Sequence, residues 1–424
     1  MPQNVLSITK PGSRGLFASV PLKQAVLAQL RRLRHGQLSL WVNGEEMRFG
    51  DAESPLKAHI EVLDPAAWAL VAGNGSIGAG EAYIHGFWRS QDLTAVTRLF
   101  VANLDVLDAM EGGLARLGRP ALRLLHWLNR NSRAGSRRNI VAHYDLGNAL
   151  FECLLDPTMM YSAATFATPE HSLEQAQLAK LALICHKLDL QPGDHLLEIG
   201  SGWGSLALYA ASHYGCRVTT TTLSDEQYAY TRERVAQQGL AGRITVLCED
   251  YRNLQGRYDK LVSIEMIEAV GHRYLPEYFR RCAALLNDDG LMLLQAITIR
   301  DQRYQRACRS VDFIQRYIFP GGALPSLTAL LQTASRETQL NLLHMEDFGP
   351  HYARTLRHWL HNLHGAHQTL LERGYDDSFQ RLWEFYLCYC EGGFQERAIG
   401  VAQLLWAGPA ARPPSLVERP VLPA

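Results

Sequence analysis

Charge of one sign is missing: 42 Lys and Arg balance 42 Asp and Glu. A general nucleic-acid binder would carry a broadly basic surface, so nucleic acid is not an expected partner. Any attraction to a polyanion or a membrane has to come from a local patch. Cys-x-x-Cys pairs are missing too. Of the eight cysteines only Cys388 and Cys390 lie close together. Zinc sites use closely spaced ligand pairs, so no metal is expected, and the thiols read as reduced and buried, as in a cytosolic protein. Met1 to Phe17 lacks the apolar run of roughly 7–15 residues that marks a signal peptide. No run of about 20 apolar residues occurs, so no bilayer-spanning helix is expected. Internal repeats and low-complexity tracts are also lacking.

What is present is a chain of 424 residues, 47% hydrophobic and 20% charged, enough for about two or three compact units. Residues 1–112 read as a small mixed domain. Leu38 to Val42 is a strand entering a tight Asn43-Gly44 turn. Glycine-rich turns are expected around Gly73 to Gly80, and a helix from about Asp92. Residues 113–140 form a basic linker. Arg116, Arg119, Arg123, Arg130, Arg133, Arg137 and Arg138 alternate there with leucines and Trp127, with no Asp or Glu. At helical spacing one face is cationic and another apolar. Such a segment suits an anionic lipid surface, and an ordinary surface helix reads equally well.

Residues 141–407 read as an α/β domain with a doubly wound parallel sheet. Strands are expected at His195–Ile199, Arg217–Thr222, Ile244–Cys248, Lys260–Glu265 and Leu291–Ile297, with helices between them. Gln339–His344 and Ile399–Trp406 are candidates to close the sheet. The stretches 303–335 and 351–394 read as a helical lid rich in aromatics, among them Tyr304, Phe313, Tyr317, Trp383, Tyr386 and Phe394. Residues 408–424 carry five prolines and are expected to be disordered.

Glu198-Ile199-Gly200-Ser201-Gly202-Trp203-Gly204 follows the first strand and opens a helix. Glycines let a backbone turn tightly and approach a ligand, and the carboxyl ends of strands are where open α/β sheets bind ligands. A dinucleotide motif spaces its glycines as GxGxxG. Here the third glycine comes one residue early, and an acidic residue stands two before the first. That form points to S-adenosylmethionine, with the glycines facing its methionine part. Thr222 and Gln227, after the second strand, supply neutral groups for a ribose. Asp250, after the third, supplies a carboxylate for the adenine amino hydrogens. Taken singly, each would more often be a helix cap or a solvated loop.

Further motifs flank this core. Asn139-Ile140-Val141-Ala142-His143-Tyr144-Asp145-Leu146-Gly147-Asn148, Leu155-Asp156-Pro157 and Met160-Tyr161-Ser162 precede it. Ile318-Phe319-Pro320-Gly321-Gly322 and Leu324-Pro325-Ser326 follow it. Together with Gly-x-Gly-Trp-Gly and Thr-Leu-Ser-x-x-Gln, this pattern resembles the cyclopropane-fatty-acyl-phospholipid synthase family, which includes the mycolic acid methyltransferases. The match covers roughly residues 80 to 406. The resemblance implies a Rossmann-like methyltransferase sheet with a helical lid, preceded by a smaller lipid-contacting domain. It implies that Tyr161, Ser162, Gly200, Gly202, Trp203, Thr222, Gln227 and Asp250 line the cofactor site. It further implies methyl transfer to the double bond of an unsaturated phospholipid acyl chain held in an apolar tunnel, by a homodimer lying peripherally on the inner, cytoplasmic face of the membrane. In the cyclopropane makers of the family, a bound bicarbonate removes a proton from the resulting carbocation so that the ring closes.

At the bicarbonate cage the resemblance breaks. Tyr161-Ser162-Ala163 stands where the family has Tyr-Ser-Cys. Glu265-Met266-Ile267-Glu268-Ala269 stands where it has Gly-x-x-Glu-His, and Gln295 takes the place of a second histidine. Glu268, Ile297 and Tyr352 remain. A second carboxylate beside Glu268 should repel a carbonate anion, since like charges about 4 Å apart in a partly buried site cost a few kcal/mol. Bicarbonate is therefore not expected here. Glu265 or Glu268 would accept the proton or hold a water, giving a cyclopropane, a methyl or methylene chain, or a methyl alcohol. Two alternatives remain open: a methyltransferase for a small molecule, and an inactive lipid- or cofactor-binding homologue.

Overall fold

The structure is a computed structural model that describes residues 16–112 and 147–416. The basic segment 113–140, His143 and the motif up to Leu146 lie outside the described residues. The chain divides into two units. One comprises residues 1–128, 309–320 and 356–398, and the other residues 129–308, 321–355 and 399–424.

In the first unit a four-stranded sheet has the order β2-β1-β3-β4. Its strands are β1 (Gln37–Val42), β2 (Glu45–Gly50), β3 (Lys57–Val62) and β4 (Trp88–Arg89). The β1–β2 hairpin turns at Asn43 and Gly44, both at positive φ (53° and 83°), the conformation a two-residue hairpin turn favours. β1 alternates between half-buried and buried positions, as expected of a strand with one face on a core. Asp92 caps the Leu93–Ala102 helix through the Ala95 N–H at 2.8 Å.

The turns expected at Gly73 to Gly80 reduce to one: within Ala66–Ile84 two helical stretches meet at a kink at Gly75 (φ 59°, ψ −131°). Gly75 makes the turn, while Gly78 and Gly80 permit close packing. A Cβ on Gly80 would lie 2.5 Å from the Phe313 ring, and one on Gly78 only 1.9 Å from the Leu70 carbonyl oxygen. Two stretches expected over the α/β sheet also group with this unit. The Phe313–Tyr317 and Asp377–Gln395 helices bury their aromatic faces together, with Phe313 and Phe385 centroids 4.6 Å apart. The second helix is tied to the Leu93–Ala102 helix by the Thr97 hydroxyl, which donates to the Cys388 carbonyl at 2.8 Å.

The second unit holds a seven-stranded sheet of order β10-β11-β9-β8-β5-β6-β7. Its strands are β5 (His195–Ile199), β6 (Arg217–Thr222), β7 (Ile244–Cys248), β8 (Tyr258–Ile264), β9 (Leu286–Ile299), β10 (Asn341–Asp347) and β11 (Ile399–Ala407). β5 to β9 run parallel, β11 is antiparallel to β9, and β10 is antiparallel to β11. The strand order reverses between β5 and β8, which opens a crevice at their carboxyl ends. One face is filled by Tyr278, Phe279 and Trp406, the other by Leu181, Ile184 and Leu206. The three strands β5, β6 and β7 begin and end where the sequence places them. β8 begins two residues earlier than expected and stops at Ile264, because Glu265 turns to φ +48°. β9 is longer than expected at both ends. The tail departs from its expected disorder at its start: the Gly408 and Ala410 N–H groups donate to the carbonyls of Gly290 and Asp288, and Ala411 is buried. Among the described residues no helix is long and apolar enough to cross a membrane.

Candidate active site

The turn after β5 is made of left-handed glycines: Gly200 at φ 99°, Gly202 at 50° and Gly204 at 88°. The Gly200 and Ser201 N–H groups both donate to the Thr221 carbonyl on β6, at 3.0 and 2.9 Å. That anchors the turn and starts the Ser205–Tyr214 helix. A Cβ on Gly202 would meet no atom within 4 Å, and one on Gly200 would touch Met266 at 3.3 Å. The turn is therefore open on the side of Gly202, as a close-approaching ligand requires.

The expected cofactor residues lie in that turn, ahead of it, or on the segments that follow the neighbouring parallel strands. Glu198 is buried near the end of β5 and accepts the Thr220 hydroxyl at 2.6 Å. Burial pushes its carboxyl up to about 8, against the pull of that bond. Thr222 and Gln227 are also buried. The Thr222 hydroxyl donates to Gln227 Oε1 at 2.9 Å, which leaves the Gln227 amide nitrogen as a donor for a ligand. Asp250 is forked by Arg252, with Nε to Oδ1 at 2.9 Å and Nη2 to Oδ2 at 2.6 Å. Its oxygens keep further lone pairs for an amino group. Trp203 is buried, stacks obliquely on Phe151 at 4.7 Å and donates from Nε1 to Asn148 at 2.9 Å. Tyr161 meets the same Phe151 edge-on at 5.3 Å. The open glycine turn, with neutral and anionic acceptors after successive parallel strands, fits S-adenosylmethionine.

Beyond the end of β8 lies a second cluster. Glu265 accepts three hydrogen bonds: from the Ala163 N–H (2.9 Å) and Gln295 Nε2 (2.8 Å) on Oε1, and from the Tyr352 hydroxyl (2.7 Å) on Oε2. Burial raises its carboxyl, while Tyr352, Ala163, Gln295 and the charge of Lys180 pull it back. Glu268 Oε1 accepts the Ile297 N–H at 2.6 Å, but its Oε2 is buried without a hydrogen-bond partner among the described residues. Its carboxyl is pushed up to about 8, first by burial and then by the charge of Glu265. The structure thus brings together Glu265, Ala163, Gln295 and Tyr352, and sets Glu268 with Ile297 close enough to feel Glu265. Two carboxylates so placed can share protons unequally, because three donors favour an anion at one and a bare buried oxygen disfavours it at the other.

Sequence reasoning missed Lys180. It has no exposed surface, and its Nζ lies 2.7 Å from Ser162 Oγ. Burial lowers it to about 7, against attraction from Glu265 and Asp156. The clue was available: Gln177 and Lys180 recur with Leu173, Leu181 and Ile184 on the apolar stripe of the Leu173–Lys187 helix, where a polar side chain needs a buried partner.

The parallel sheet with one reversed strand, β11, between β9 and β10, and the glycine turn at its switch point, define an S-adenosylmethionine-dependent methyltransferase. The profile of the mycolic acid cyclopropane synthetase family matches residues 131–404, and the chain belongs to that family. It is 38% identical to the tuberculostearic acid methyltransferase UfaA1 of Mycobacterium tuberculosis, over 84% of this chain and 86% of that protein. It is 36% identical to the cyclopropane-fatty-acyl-phospholipid synthase of Escherichia coli, over 82% of this chain and 88% of the synthase. Among solved structures it resembles mycolic acid cyclopropane synthase CmaA1 complexed with SAH and CTAB, with TM-score 0.60 and 32% identity. That match covers 64% of this chain and 98% of CmaA1.

Proposed function

We propose that this enzyme methylates the double bond of an unsaturated phospholipid acyl chain without bicarbonate, with Glu265 as the proton acceptor. The observation that carries the reading is the set of three donors on Glu265. Ala163, Gln295 and Tyr352 stand at cage positions of the family pattern, and here they already hold a carboxylate that belongs to the chain.

S-adenosylmethionine, bound at the Gly200–Gly204 turn, supplies an electrophilic methyl group. Gly200 and Gly202 admit it closely, while Thr222, Gln227 and Asp250 hold its ribose and adenine. Addition of a methyl to the alkene leaves a positive charge on the neighbouring acyl carbon. An ionised Glu265 stabilises that charge, which is worth more in a water-poor site than in water. Its Oε2, with one donor against two on Oε1, keeps a lone pair to take the proton. The electron pair released by the C–H bond then closes a cyclopropane or forms a methylated alkene. Glu268, pushed toward its neutral form by burial and then by the charge of Glu265, leaves Glu265 as the anion of the pair.

Similarity to proteins named for fatty acids and phospholipid supports an acyl substrate. Work on a phospholipid chain requires peripheral contact with a membrane surface, and the basic segment 113–140 is the part of the sequence suited to it. Titrating bicarbonate into a carbonate-depleted assay tests the reading. Unchanged turnover supports it, and strong stimulation counts against it.

A further inference from the structure

A line of buried polar side chains runs from Glu265 to the edge of the α/β sheet. Gln295 on β9 is paired in register with Gln403 on β11, and Gln403 with Glu346 on β10, so one rung carries all three. Gln295 Nε2 donates to Glu265 at 2.8 Å, Gln403 Nε2 to Gln295 Oε1 at 3.0 Å, and Lys187 Nζ to Gln403 Oε1 at 2.7 Å. Lys187, the last residue of the Leu173–Lys187 helix, also meets Glu346 at 2.5 Å. Gln295, Gln403 and Lys187 are at most 3% exposed.

Every bond in this line points the same way, from cation to carboxylate, and the reason is chemical. An ammonium has three donors and no acceptor, so Gln403 must turn its oxygen to Lys187. Its NH2 then faces Gln295, which must accept with its oxygen and donate with its NH2. The last donor therefore points at Glu265. Were the amides reversed, Gln295 would present an oxygen to Glu265 Oε1, and two acceptors would face each other unless Glu265 carried a proton. The order of two amides thus decides whether Glu265 is held as an anion.

We infer that Lys187 is a positioning residue for methyl transfer: through Gln403 it orients the Gln295 amide to donate, and so keeps Glu265 a hydrogen-bond acceptor ready to take a proton. The inference rests on Glu265 being the acceptor, as proposed above. The other charged groups in the neighbourhood are Lys180 and Glu268 facing Glu265, and Glu346 and His344 facing Lys187.

The test is the pH profile of kcat for the full-length enzyme with unsaturated phospholipid vesicles, comparing wild type with Glu265→Gln, Lys187→Met, Lys187→Arg and Gln403→Met. Lys187→Met frees both amides to reverse, and Gln403→Met frees the Gln295 amide. Each is expected to move the acid limb of the profile up by about one pH unit or more, with turnover recovering at higher pH. Gln403→Met changes no charge, so its shift isolates amide orientation from the field of the lysine, and it stands in should Lys187→Met not fold. Lys187→Arg keeps a donor-only cation and should leave the limb in place. A merely structural role would lower kcat equally at all pH values, and that result overturns the inference. So does a limb shifted in Lys187→Met but not in Gln403→Met. Failure of the underlying reading looks different: Glu265→Gln would retain wild-type turnover and its acid limb.

Discussion

Replacing Glu265 with glycine should convert the enzyme into a bicarbonate-dependent one. The substitution removes a carboxylate held by Ala163, Gln295 and Tyr352 at 2.7–2.9 Å. It does not strain the backbone. Glu265 sits at φ +48°, where an L-residue pays about 1–2 kcal/mol that glycine does not. What it leaves is a small space with three inward donors, and each unmet buried donor costs about 1–3 kcal/mol until something accepts from it. A dissociation constant near 10 mM for a refilling anion needs only about 2.7 kcal/mol, less than two charge-assisted hydrogen bonds supply. A positioned proton acceptor contributes roughly 10²–10⁴ in rate. In carbonate-depleted buffer the variant should therefore lose at least about 100-fold in kcat. Millimolar bicarbonate should restore at least about tenfold of that, while leaving wild type unchanged. Transfer of labelled methyl to vesicle lipid, followed with and without bicarbonate, measures both. Full activity of the variant without bicarbonate refutes the reasoning, as does equal stimulation of the two proteins.

Three other outcomes follow from the geometry. Gly204→Val places a Cβ 2.6 Å from Thr231 at φ +88°, so Tm should fall by several degrees on calorimetry. An unshifted Tm would show that the turn does not constrain this position. Lys180 lies near 7 in the fold against an ordinary 10.5. Between those values the unfolded chain holds a proton that the folded chain has released, so this group makes stability rise with pH across that window. Lys180→Met should flatten the gain in Tm between pH 7 and 8.5, and an unchanged gain would contradict the assignment. Asp250→Asn breaks the fork to the buried Arg252 side chain, and the dissociation constant for S-adenosylmethionine should rise about tenfold or more by calorimetric titration, roughly 1.4 kcal/mol. Wild-type affinity would remove Asp250 from the cofactor site.

The central strands were readable because each is a short apolar or β-branched run bounded by turn residues. Pro192-Gly193-Asp194 sets the start of β5, and the glycines after Ile199 set its end. Within Gly73 to Gly80 the turn at Gly75 was readable, but Gly80 was not, because a glycine's reason for being there can lie far along the chain. The ring of Phe313 demands a bare Cα at Gly80, and nothing near residue 80 announces it. The changes at 163, 265 and 295 were visible through the family pattern, and the structure adds that Glu265 itself accepts from the donors around it. Lys187 and Gln403 stayed hidden for another reason. Their part depends on the register of β9 against β11 and β10, and no local run of residues encodes which side chains share a rung.

The central claim is that methyl groups go to a carbon–carbon double bond in lipid, with no bicarbonate present. It is tested most directly by giving the purified protein labelled S-adenosylmethionine and phospholipid vesicles, unsaturated in one reaction and saturated in the other, in carbonate-depleted buffer. Mass spectrometry should find the unsaturated acyl chains heavier by one CH2 and the saturated ones unchanged. Equal labelling of both vesicles, or none without added bicarbonate, would contradict it.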